Sequence, residues 1–221
     1  MNKESNFISA LVYCHNDRKV YDFLDFLYQY LEKTFDAFEI IIVNDNSNFN
    51  TKELLSTFCK NKKENSITLI NLSYYHGIDK ALNAGLSLCI GDFVYIFDEV
   101  DINYDSNILQ SLYEKAQEGF DIVIGCPSSN SLKSKIIQFF VEKMLHLKDF
   151  AKIKKMMLVT RRSINRLFSI EKVIYLYKFS FIKCGLPISS VHYLSKTKES
   201  HEKNYMKNFL KALFIYSKIP Y

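Results

Sequence analysis

Three carboxylates close the segment FVYIFDEVD: Asp98, Glu99 and Asp101 follow directly on Phe93 to Phe97, a continuous apolar run of strand length. Their oxygens are hard ligands, suited to holding a divalent cation or to handling a diphosphate. A second polar group, Asn44, Asp45, Asn46 and Ser47, ends the run FEIIIV in the same way. Open α/β sheets bind ligands in the crevice beyond the carboxyl ends of their strands, so both groups stand where such folds do chemistry. A polar loop that only caps a strand uses the same residue types, and spacing alone does not separate the two readings. His146, His192 and His201 show no metal-ligand spacing.

The elements that must position these groups follow from hydrophobic period. SALVY (9–13), FEIIIV (38–43), SITLINL (66–72), FVYIF (93–97) and DIVIG (121–125) read as strands, and 156–160 as a short strand. Between them lie helical stripes: Val20, Phe23, Leu24, Leu27, Tyr28 and Leu31, then 51–59, then Ile78, Ala81, Leu82, Gly85, Leu86 and Cys89, then 107–119. Strands alternating with helices at this pitch give an α/β fold, a mostly parallel sheet with helices on both faces. Beyond residue 127 the expected elements are a long helix over 131–147, a helical turn over 164–168, an aromatic-rich helix over 170–184 and a basic amphipathic helix that stops before Pro220.

A chain of 221 residues, 48% hydrophobic, supports one domain with a substantial core, or one domain plus an appendage. No apolar run reaches the length of a membrane span, and the first residues show no signal-peptide pattern, which points to a cytoplasmic protein. Cys14, Cys59, Cys89, Cys126 and Cys184 are odd in number and scattered, which suits reduced thiols and argues against a zinc site. Charge is divided unequally. Residues 1–130 carry 10 Lys and Arg against 19 Asp and Glu, a balance of −9, and residues 131–221 carry 19 against 5, a balance of +14. A basic half suits an anionic membrane surface or a phosphate-rich ligand; with no aromatic-basic motif of the RNA-recognition type, nucleic acid is not the expected partner.

Taken in order, ISALVYCHND, EIIIVNDNSN and GIDKALNAGLSLCIGDFVYIFDEVD resemble glycosyltransferase family 2, the inverting nucleotide-sugar transferases of the GT-A fold. The resemblance implies a nucleotide-sugar-binding core over 1–127 and a basic acceptor- or membrane-facing part of the same domain over 128–221. It implies a UDP or GDP type of donor held by Tyr13, His15, Asn44, Asp45, Ser47, His76, Gly77 and Asn83. It also implies a divalent metal, magnesium or manganese, on Asp98, Glu99 and Asp101, with Asp98 and Arg161 as the catalytic pair. Arg162 stands beside Arg161 as a second choice of charge stabiliser. The family's second metal-motif aspartate is Val100 here, and the Arg-Asn before the helix block is Tyr74-Tyr75.

The C-terminal half resembles the polyprenyl-phosphate branch of the family, which includes dolichyl-phosphate mannose synthase. Thr160-Arg161, Gly185, Lys198 to Tyr205 and Ser217 to Pro220 stand in that branch's order. That resemblance implies a lipid-phosphate acceptor, or else a glycan precursor of the cell envelope. It also implies a protein peripheral on the inner face of the membrane, with oligomerisation open. A phosphate acceptor is already anionic and needs no general base, whereas a sugar hydroxyl does. The competing expectation is a non-catalytic GT-A relative that binds nucleotide, membrane or a protein partner without turnover.

Overall fold

Alternation along the strands sorts the apolar residues onto two faces of one sheet. Ile8, Ala10 and Val12 of β1 (Ile8–Cys14), Ile40 and Ile42 of β2 (Phe38–Asn44), and Tyr95 and Phe97 of β4 (Phe93–Phe97) point to one core cluster. Their neighbours Leu11, Ile41, Val43, Val94 and Ile96 point to the other. This period of two, with both faces apolar, belongs to a sheet covered on both sides. The structure, a computed structural model, describes residues 3–62, 66–100, 106–127, 156–170 and 177–193. Asp101 lies outside them, as do the helices expected over 131–147 and before Pro220 and the motif residues beyond 193.

The remaining strands are β3 (Ile67–Asn71), β5 (Ile122–Pro127), β6 (Met156–Thr160) and β7 (Ile188–Tyr193), and the order across the sheet is β3-β2-β1-β4-β6-β5-β7. β1, β2, β3 and β4 are parallel; β6 runs antiparallel to β4 and to β5, and β5 is parallel to β7. β6 and β7, from the basic half of the chain, therefore lie in the same sheet as the acidic half.

Helices α1 (Val20–Thr34), α2 (Phe49–Asn61) and α4 (Ser106–Gln117) cover the first face. On the second lie α3 (Ile78–Leu86), α5 (Arg161–Ile170) and α6 (Tyr177–Lys183). The stripe expected on α1 is buried as read. α2 starts two residues earlier than expected because the Asn48 side chain accepts from the Thr51 amide and caps it. Of the helix expected over 170–184, Tyr177 to Lys183 is helical and 171–176 lies outside the described residues. β7 was not expected from sequence.

α3 approaches β1 and β2 closely because Gly85 has no side chain. A Cβ there would stand 2.3 Å from Leu11 Cδ1 and 2.7 Å from Val43 Cγ2. At the amino edge of the sheet, Gly91 lies against β1, where a Cβ would meet the Ser9 backbone nitrogen at 2.4 Å. The Gly91 amide donates to Ser9 Oγ at 2.8 Å, and Asp92 exchanges hydrogen bonds with Phe7 through its own amide and its carboxylate. Asp92 is thus a turn residue, tying the entry of β4 to the entry of β1.

Candidate functional site

The polar loops at the carboxyl ends of β1 and β2 are clasped together. Asn16 and Asn46 adopt positive φ, 57° and 50°, a conformation asparagine tolerates better than most residues. The Asn16 amide donates to Ser47 Oγ at 3.1 Å, and the Asn48 amide donates to Asn16 Oδ1 at 2.7 Å. Asn44 joins β2 to β3, its Nδ2 donating to Asn71 Oδ1 at 2.7 Å while its Oδ1 accepts from the Ser47 amide at 3.1 Å.

Asp45 is the anchor of this edge. Its carboxylate is fully buried, with Oδ1 accepting from the His76 amide at 2.7 Å and Oδ2 from the Gly77 amide at 2.9 Å and the Tyr13 hydroxyl at 3.2 Å. Three donors satisfy a charge that burial would otherwise penalise. Burial, and after it the Asp45 charge, push the Tyr13 phenol well up, so it stays a donor. Gly77, at φ 82°, turns the chain between that contact and the start of α3. His15 Nδ1 donates to the Asp45 carbonyl at 2.7 Å, and its Nε2 accepts from Asn16 Nδ2 at 3.0 Å, which assigns the Nδ1–H tautomer.

On this scaffold sit two exposed aromatic rings. Tyr74, 64% exposed, stacks on His76 at 3.9 Å between centroids, and Tyr75, 59% exposed, leans on His15 at 4.7 Å. Tyr13, His15, Asn44, Asp45, Ser47, His76 and Gly77 are thus brought together in one connected edge. Asn83, on α3, contributes a buried Oδ1 that has no hydrogen-bond partner among the described residues.

At the end of β4, Asp98 is nearly buried and already engaged. Its Oδ2 accepts from the Tyr177 hydroxyl at 2.8 Å and forms an ion pair with Lys178 Nζ. Tyr177 and Lys178 open α6, whose first amide, that of Tyr177, donates to Asp79 Oδ1 of α3 at 3.1 Å. Val100 is buried in the core with α1, α2 and α4. Glu99 is partly exposed, and its charge acts on Asp17, whose carboxyl burial and Glu99 together push up to about 6 against the opposing pull of His15. Among the described residues no three His, Cys, Asp or Glu side chains form a metal-holding group. The described residues do not fit a divalent cation at Asp98: its Oδ2 carries an ammonium and a phenol, and the neighbour two residues on, Val100, is core.

Arg161 is not beside Asp98, contrary to the expectation that the two work together. β6 runs antiparallel to β4, pairing Thr160 with Phe93 and Met156 with Phe97, so the residue after Thr160 lies at the amino edge of β4. There the Arg161 guanidinium donates twice to the Gly91 carbonyl, at 3.1 and 2.8 Å, and its amide donates to the Asp92 carbonyl. Six residues of extended chain separate Asp92 from Asp98, roughly 20 Å at ~3.3 Å per residue. Arg162 pairs with Asp121 at that same edge. The periodicity of β6 did not reveal its direction, and direction decides which end its final residues reach.

Lys178, Tyr177, Asp79 and Asp17 were not expected at the site. The available signal was a single lysine within the aromatic run VIYLYKFSFI, where a charge needs a partner.

Fold and site together define a GT-A nucleotide-sugar-transferase architecture. The chain shares it with a mannosyltransferase of Pyrobaculum calidifontis solved with GDP-mannose and Mn2+, at a TM-score of 0.68 and 13% identity, over 98% of this chain and 66% of that one. It is similar also to glucosyl-3-phosphoglycerate synthase of Mycobacterium tuberculosis solved with Mn2+, UDP and phosphoglyceric acid, at a TM-score of 0.67 and 12% identity, over 98% of this chain and 80% of that one.

Residues 9–170 match the sequence profile of glycosyl transferase family 2, and the chain belongs to that family. It is 30% identical over 122 residues to the glycosyltransferase GlyG of Streptococcus pneumoniae, 55% of this chain and 39% of that protein. It is 34% identical over 87 residues to an undecaprenyl-phosphate 4-deoxy-4-formamido-L-arabinose transferase of Yersinia pestis, 39% of this chain and 26% of that protein. The chain thus spans well under half the length of these relatives. Among the described residues no helix is long and apolar enough to cross a membrane.

Proposed function

We propose that this chain transfers a sugar from a nucleoside-diphosphate donor, of UDP or GDP type, to an acceptor that is a polyprenyl phosphate, or failing that a glycan precursor of the cell envelope. The observation that carries the reading is the Asp45 anchor. A buried carboxylate holds the two amides of His76 and Gly77 and sets Tyr74 and Tyr75 as an aromatic platform at the carboxyl edge of a parallel sheet. Membership of a family of transferases supports the same reading, and the transferase names of its relatives do not favour a chain that binds without turnover.

In this reading Tyr13, His15, Asn44, Asp45, Ser47, His76, Gly77 and Asn83 shape the donor pocket, most of them through the backbone they fix. The acceptor oxygen attacks the anomeric carbon as the bond to the diphosphate breaks, and the bonding pair leaves with the diphosphate. Charge growing on that group needs a positive partner nearby. The divalent metal that the family resemblance implies is carried by the solved neighbours, whereas Asp98 of this chain is engaged by its own lysine. The Yersinia relative's name supports the lipid-phosphate acceptor, and the +14 balance of residues 131–221 supports work at the inner, anionic face of a membrane.

The test is incubation of the chain with a panel of UDP- and GDP-sugars and undecaprenyl phosphate in mixed micelles. Sugar that becomes lipid-extractable, together with released nucleoside diphosphate, is the expected result; failure to bind any nucleoside diphosphate would remove the reading.

A further inference from the structure

We propose that Tyr75 is the ring on which the donor's base stacks, and that this stacking makes a purine nucleotide bind more tightly than a pyrimidine one. The inference rests on the nucleotide-sugar reading above and names the class of base that the site favours. In the order β3-β2-β1-β4 the sheet grows from β1 to one side and then crosses to the other, so the crevice opens beyond the carboxyl ends of β1 and β4. Tyr75 follows β3, which β2 separates from β1. Its ring nevertheless lies 4.7 Å from that of His15, just beyond β1, tilted by 53°. The side chain thus spans the end of β2 and presents its ring beside the crevice.

The backbone on either side of Tyr75 is fixed. The next two amides, those of His76 and Gly77, are pinned on Asp45 at 2.7 and 2.9 Å. Tyr74, before it, stacks on His76 at 3.9 Å, and its carbonyl accepts from His76 Nδ1 at 2.6 Å. A ring positioned before the ligand arrives loses little freedom on binding. Tyr75 is 59% exposed, which leaves ring surface in water for a planar partner to cover. Asp45 serves the platform and not the base: its carboxylate is fully buried, accepting from the two amides and the Tyr13 hydroxyl. What Tyr75 offers a base is therefore a π face. Every base has one, and the two fused rings of a purine offer more of it than a pyrimidine does. Tyr74-Tyr75 stands in place of the Arg-Asn of the family pattern, so the platform is a feature of this chain.

Titration calorimetry of the whole chain with GDP and UDP, at one fixed Mn2+ concentration, tests this, because the two ligands carry the same ribose and diphosphate and differ only in the base. GDP is expected to bind about three- to tenfold more tightly than UDP. Tyr75→Leu should weaken GDP by about tenfold or more and narrow the gap between the two nucleotides to within about twofold, with the urea midpoint unchanged because the ring is exposed. Tyr75→Phe keeps the ring and should hold the wild-type affinity within about threefold. The sequence contains no tryptophan, so Tyr75→Trp sets a single indole on the platform, whose fluorescence GDP should quench and inorganic pyrophosphate should not. Tighter binding of UDP than of GDP overturns the proposal and leaves the donor reading standing, as does nucleotide affinity that survives Tyr75→Leu. A loss in Tyr75→Phe as large as that in Tyr75→Leu also overturns it, since the hydroxyl and not the ring face is then what binds. Absence of binding of either diphosphate overturns proposal and donor reading together.

Discussion

The Asp45 carboxylate has no solvent to fall back on, so each donor that faces it counts. Replacing it by alanine removes three hydrogen bonds and leaves the His76 and Gly77 amides without their acceptor. A hydrogen bond to a charged group contributes ~1.5–3 kcal/mol, and the three share one carboxylate, so Asp45→Ala should lower stability by about 3 kcal/mol in urea unfolding. It should also release the Tyr74–Gly77 loop and weaken nucleotide binding. Arg161 gives the contrasting case. Its guanidinium grips the Gly91 carbonyl at the far edge, so Arg161→Ala should cost about 1–2 kcal/mol of stability while nucleotide affinity in the same preparation stays unchanged. A selective loss of affinity would place the guanidinium in the crevice after all.

Asp17 adds a pH dependence at the same scale. Its folded carboxyl titrates near 6 against 3.8 for the free group, so the folded state holds the proton more tightly. The stabilisation this gives is complete below about pH 4 and is lost as pH rises through 6. Asp17→Asn should therefore match the wild type near pH 4 and exceed it near pH 7. With the group half in solvent the gain is on the order of 1 kcal/mol, read as the difference between urea midpoints at the two pH values.

At the scale of elements, two glycines set how closely the layers meet, and they differ in what yields. At Gly85 the obstacle to a methyl group is Leu11 and Val43 side chains, which can repack at an overpacking cost of ~1–3 kcal/mol. At Gly91 it is the backbone of Ile8 and Ser9, which cannot move without parting β1 from β4. Gly91→Ala should thus be the more damaging, at about 3 kcal/mol or more by thermal or urea unfolding. The same elements show what was legible. β1, β2, β4 and α1 were plain in sequence because buried parallel strands and a one-faced helix carry strong periods. β7 was not, since Ile188, Ser189, Ser190, Val191 and His192 alternate weakly on a half-exposed strand. Asp45 and Asp98 were legible as strand-end carboxylates because each follows an apolar strand. Lys178 was not, because its meeting with Asp98 depends on α6 packing against α3, and a contact across 80 residues of chain leaves no local pattern.

At the scale of the whole molecule the relevant quantity is how charge is divided. The balance of −9 over residues 1–130 and +14 over 131–221 gives the chain an electrical direction that its net +5 conceals. β6 and β7 carry two strands of the basic half into the sheet of the acidic half. An anionic bilayer would then hold the chain by its basic half, each Lys or Arg near the surface contributing ~1 kcal/mol at moderate salt. Screening sets the test, because the Debye length falls from ~10 Å at ~0.1 M salt to a few ångströms at several times that concentration. The chain should sediment with vesicles rich in anionic phospholipid at low salt, stay in the supernatant with zwitterionic vesicles, and leave the anionic ones at about 0.5 M salt. Salt-insensitive binding to both kinds of vesicle would point to apolar insertion instead. No binding to either would remove the membrane from the proposed function while leaving the donor site untouched, since the Asp45 anchor and the Lys178–Asp98 pair lie at the sheet's carboxyl edge and owe nothing to the surface charge.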